Sequence, residues 1–108
     1  MKLITLAQGG GGRQSSQLIQ SILNSTGSLP ALPLEDCAIL PGDLAMTIDG
    51  FTVQPLSFPG GNIGKLAVCG TVNDLACRGA KPLYIALGVL AEEGFDEGEF
   101  LGYLSDAS

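Results

Sequence analysis

Histidine is absent from this 108-residue sequence, and so is tryptophan; aromatic residues make up only 6%. Without histidine there is no serine–histidine triad and no imidazole to act as a general base near neutral pH. Basic residues are scarce, five against eleven acidic ones, for a net charge of −6. A nucleic-acid partner is therefore not expected, because phosphate backbones are held by clustered Lys and Arg. One bound nucleotide remains compatible, since carboxylates reach phosphates through bridging magnesium. Cysteine is limited to Cys37, Cys69 and Cys77. An odd count with no CxxC spacing reads as reduced thiols, and no four-ligand structural zinc site is available.

Long apolar runs are also missing. The longest, residues 84–91, falls well short of a membrane span, and the apolar stretch at the start is too short for a secretory signal. A cytoplasmic, non-membrane protein is the expectation. What is plentiful is apolar character overall, 45% of residues with mean hydropathy +0.35. That much apolar material in one small domain predicts a surface to be covered by a partner or by further chain.

The pattern along the chain predicts a mixture of helices and strands. Leu18, Ile19, Ile22 and Leu23 recur at helical spacing, so residues 13–24 read as an amphipathic helix stopped by Gly27. Residues 28–34, with Pro30 and Pro33, read as a connector. Residues 36–40 and 44–53 read as two strands around a Pro41-Gly42-Asp43 turn, with Leu44, Met46 and Ile48 on the half-buried face. Residues 55–61 read as a loop and residues 62–78 as a helix ending at Gly79. Residues 83–90 read as a buried strand. Asp96 and Glu99 have capping-box spacing for a last helix containing Phe100, Leu101 and Leu104. That helix is expected to have nothing after it to pack on, which reads as truncation. The class is α+β.

Three features bear on chemistry. The glycine run Gly9, Gly10, Gly11 and Gly12 precedes a helix, where backbone N–H groups favour anions; on composition alone a flexible tail is the preferred reading. Asp36, Asp49 and Asp74 stand on three separate elements and form a candidate magnesium set, each with an alternative reading as a turn or surface residue. Lys65 lies near a helix start beside Gly60, Gly61 and Gly64, a candidate phosphate contact or else a surface lysine. Asn73 and Asp74 follow about two and a half turns later in an otherwise apolar helix.

The string FPGGNIGKLAVCGTVNDLACRGAKPLY, with LAQGGGG and TIDGFTVQPLSFPGG before it, closely resembles the HypE carbamoyl dehydratase family of the PurM-like (AIR synthase-like) superfamily. The resemblance implies a single PurM-like N-terminal domain over residues 1–108, with a mixed sheet and helices on one face. It implies a homodimer through the N-terminal domain sheet, and ATP and Mg2+ in a cleft. Asp36, Asp49 and Asp74 would be metal or phosphate residues and Asp74 and Lys65 catalytic. Asn73 and the glycines at 9–12, 60, 61 and 64 would bind the cofactor.

The implied reaction is ATP-dependent dehydration of a cysteine thiocarboxamide to a thiocyanate for the cyanide ligands of [NiFe]-hydrogenase. The carbamoyltransferase HypF and the HypC–HypD complex are the implied partners. Two departures stand out: Gln8 occupies the position of the family's histidine, and the family's C-terminal domain with its terminal cysteine does not follow. Other members of the superfamily, namely AIR synthase, selenophosphate synthetase and thiamine-monophosphate kinase, and a non-catalytic dimerisation module, are the alternatives.

Overall fold

The computed structural model describes residues 1–27 and 34–108. The chain divides into two compact units, Met1–Leu34 and Glu35–Ser108. The predicted connector lies, except for Leu34, outside the described residues.

The first unit consists of a 3-10 turn, Leu6–Gly9, and helix α1, Gly12–Thr26. The predicted helix is present and slightly longer than its apolar stripe. Gly27 ends it in the left-handed conformation, φ 68°, which a side chain would strain. Leu18 and Leu23 are half-buried, whereas Ile19 and Ile22 stay exposed.

The second unit opens with an antiparallel hairpin, β1 (Ala38–Leu40) and β2 (Leu44–Met46), with Leu40 opposite Leu44 and Ala38 opposite Met46. The turn falls where Pro41-Gly42-Asp43 predicted it, and Gly42 and Asp43 both have positive φ. Two expectations change here. The second strand stops at Met46 instead of reaching residue 53. Leu44, Met46 and Ile48 are exposed, while Ala45 and Thr47 are the half-buried residues. Alternation fixes that two faces differ; it does not fix which face meets the rest of the chain.

Residues 55–61, expected to be loop only, contain a second hairpin. Strands β3 (Ser57–Phe58) and β4 (Gly61–Asn62) pair antiparallel around Pro59-Gly60. Among the described residues the expected α+β class is present, with the strands in two antiparallel pairs where a mixed sheet was expected. Helix α2, Ile63–Cys77, follows directly and ends at Arg78 and Gly79, the stop predicted. Arg78 forms an ion pair with Glu35 at 2.5 Å, tying the end of α2 to the entry of β1.

Helix α3, Glu97–Ala107, begins where the Asp96 signal placed it, and Asp96 Oδ1 accepts from Glu99 N at 2.7 Å. Helix α3 packs against an element that precedes it: it lies against α2. The close approach rests on Gly64, where a Cβ would overlap the Tyr103 carbonyl.

The apolar run at 83–90 is not a buried strand. It has no ladder partner among the described residues, and Leu83, Tyr84, Ile85, Leu87, Val89 and Leu90 are all exposed. A strand is defined by its neighbours' hydrogen bonds, and a hydrophobic run cannot supply them alone. Among the described residues only Cys37 is buried, at 8% exposure. No helix of the described residues is long and apolar enough to cross a membrane.

Candidate functional site

In the first unit, the glycine run leads into α1 without a side-chain cap. Gly11 is the N-cap residue, and both Gly11 (φ 78°) and Gly12 (φ 75°) adopt a backbone that disfavours any side chain. The N–H groups of the first helical turn therefore have no side-chain oxygen of their own. Ser15 anchors the loop by donating Oγ–H to the Gln8 carbonyl at 2.6 Å. Gln8 itself closes the preceding turn, its Oε1 accepting from Thr5 N at 2.6 Å and from Thr5 Oγ1 at 3.0 Å. An amide can hold that turn but carries no titrating proton.

In the second unit, the β3–β4 hairpin presents Pro59-Gly60 at its tip. Gly60 has φ 93°, the conformation that the position after proline requires in a type II turn. Phe58, Gly60, Gly61, Asn62, Lys65, Leu66 and Cys69 line one shallow hollow beside it. Lys65 is exposed, with Cδ passing 3.5 Å from where a Cβ on Gly61 would sit.

The start of α2 is more self-sufficient than that of α1. Ile63 N donates to Leu56 O at 2.9 Å, and Lys65 N donates to Asn62 Oδ1 at 3.1 Å. Asn62, not singled out from sequence, is thus the N-cap residue; an Asn just before a helical run is a readable cap signal. Gly64 faces Tyr103, so packing accounts for that glycine. Gly70 has a similar role: a Cβ there would meet the Phe51 ring at 2.5 Å.

The carboxylates are not gathered. Asp36 precedes β1, and its carbonyl accepts from Thr47 Oγ1 at 3.0 Å. Asp49 lies beyond β2 with Oδ1 accepting from Gly50 N at 2.9 Å. Asp74 is half-buried in the second half of α2, next to exposed Asn73. Among the described residues, no three Asp, Glu or Cys side chains come close enough to hold a metal ion. The sequence-predicted residues Gly60, Gly61 and Lys65 are brought together; Asn73 and Asp74 sit toward the opposite end of the same helix.

Residues 34–106 match the family described as AIR synthase related protein, N-terminal domain. Among curated proteins, the carbamoyl dehydratase HypE of Rhodobacter capsulatus is 46% identical over 97 residues, covering 84% of this chain and 28% of that protein. The carbamoyl dehydratase HypE of Escherichia coli K12 is 46% identical over 103 residues, 87% of this chain and 31% of that protein. A hydrogenase expression/formation protein of Methanocaldococcus jannaschii is 44% identical over 103 residues, 86% of this chain and 31% of that protein. The chain thus spans less than a third of the length of these relatives. No solved structure matches. With the match covering all but two residues of the second unit, this chain belongs to the AIR synthase related family and carries its N-terminal domain.

Proposed function

We propose that this chain is the nucleotide-binding part of an ATP-dependent carbamoyl dehydratase acting in hydrogenase maturation. The observation that carries the reading is the 46% identity, over 84–87% of the chain, to proteins named carbamoyl dehydratase HypE. In the proposed reaction ATP phosphorylates the oxygen of a cysteine thiocarboxamide, releasing ADP. Loss of phosphate and a proton then leaves the thiocyanate. The part asked of this chain is to bind and orient the nucleotide, which is where most phosphoryl-transfer catalysis lies.

Two features support that part. The uncapped glycine N-terminus of α1 offers backbone donors to an anion. The hollow at Phe58, Gly60, Gly61 and Lys65 places an ammonium group beside a glycine pair at the hairpin tip. The described carboxylates do not make a protein-only magnesium site. Magnesium usually binds through one or two carboxylates, its own waters and substrate phosphates. Asp74, half-buried on α2, is the carboxylate proposed to meet it. A homodimer belongs to the same proposal, with the exposed run at 83–90 as surface to be covered. So do HypF and HypC–HypD as partners, and a reducing cytoplasm, consistent with three free thiols.

Calorimetric titration of the full-length protein with ATP, with and without magnesium, tests the reading. Magnesium-dependent binding is expected, weakened at least about tenfold by Asp74→Asn, as for loss of a charged ligand. Equal binding by both proteins would remove Asp74 from the site, and no binding by the wild type would sink the proposal.

A further inference from the structure

Helix α3 reaches back more than 40 residues in sequence to grip both members of one cross-strand pair. Ser57 and Asn62 face each other in the β3–β4 register. Tyr103 Oη lies 3.0 Å from Ser57 Oγ, and Asn62 Nδ2 donates to Asp106 Oδ2 at 2.6 Å. Tyr103 and Asp106 are three apart, hence neighbours on one helix face. Gly64, lacking a Cβ, lets that face come close enough.

We propose that Asp106 and Tyr103 are positioning residues for the nucleotide's phosphate-facing hollow, Asp106 acting through Asn62 on Lys65 and Tyr103 acting through Ser57 on the Pro59-Gly60 tip. This rests on the nucleotide reading above. The Asn62 amide has two ends, and only one orientation caps α2. Its oxygen must face Lys65 N, so its NH2 must face away. An oxygen of Asp106 accepts from that NH2 and so rewards the capping orientation. The cap then fixes the first turn of α2, from which Lys65 projects over Gly61. On the other strand, the Tyr103 hydroxyl also donates to Glu99, so the phenol is anchored on its own helix while it holds Ser57.

The test is ATP–magnesium titration of the full-length protein and of four variants, with a thermal midpoint for each. Asp106→Ala should weaken binding about five- to tenfold, the upper part of the range for one lost hydrogen bond of ordinary strength. Asp106→Asn keeps an amide oxygen for Asn62 and should restore affinity to within about twofold of wild type. Tyr103→Phe keeps the ring and should cost about threefold. Ser105→Ala, on the exposed side of α3, should bind like wild type. Wild-type affinity in both Asp106→Ala and Tyr103→Phe overturns the proposal while leaving the nucleotide reading in place. Asp106→Asn as weak as Asp106→Ala also overturns it, since charge and not orientation would then matter. If Asp106→Ala does not fold, the Asp106→Asn and Tyr103→Phe affinities decide. Absence of binding by the wild type overturns both readings together.

Discussion

The hydroxyl of Tyr103 stands between Ser57 and Glu99 with one proton to give. Because the carboxylate can only accept, that proton goes to Glu99, and Ser57 becomes the donor to the phenol oxygen. The consequence is a pKa raised above the ordinary 10.0, first because ionisation would forfeit the bond to Glu99; the Ser57 bond opposes this, and slight desolvation and the negative charge of Glu99 add to it. A raised folded-state value means the contact is in full force below pH 10 and is lost as pH climbs through the folded value. Ultraviolet titration should therefore show Tyr103 ionising later than a free tyrosine. Glu99→Gln should lower its midpoint, and an unchanged midpoint would remove Glu99 as the cause.

At the scale of elements, two glycines of α2 are contact points of different stiffness. A Cβ on Gly64 would overlap the backbone carbonyl of Tyr103, which moves only if α3 moves. A Cβ on Gly70 would meet the Phe51 ring, a side chain able to swing aside. Gly64→Ala is therefore expected to destabilise the full-length protein by about 3 kcal/mol, the upper range for overpacking. Gly70→Ala should cost about 1 kcal/mol or less, since alanine returns nearly that much in helix propensity. Chemical denaturation midpoints check the order, and equal shifts would contradict the distinction. All three of the described α-helices could be read from sequence because their ends carry local signals: Gly27 and Gly79 as stops, Asp96 as a cap. The α2–α3 packing could not, because nothing local distinguishes a phosphate glycine from a packing glycine at position 64. The separation of Asp36, Asp49 and Asp74 was equally hidden, since it depends on where three elements sit in space.

At the scale of the molecule, the second unit leaves its most hydrophobic segment uncovered. Leu83, Ile85, Leu87 and Val89 alternate with Tyr84, Ala86, Gly88 and Leu90, and every one of the eight is exposed. Burying such aliphatic side chains stabilises by roughly 1.5–3 kcal/mol each, comparable in sum to the whole stability of a small domain. A run of this kind also carries a row of unpaired backbone groups, which together with its apolar faces favours pairing with another strand. The 108-residue chain produced alone should bind an apolar fluorescent dye strongly, and its amides at residues 83–90 should exchange rapidly with solvent. In the full-length protein the same amides should be protected and the dye signal low. Replacing Ile85 and Leu87 by lysine in the full-length protein should bring back the dye signal and lower its thermal midpoint. If those lysines change neither, the segment is solvent-facing in the assembled protein, and its hydrophobicity then calls for a different cause.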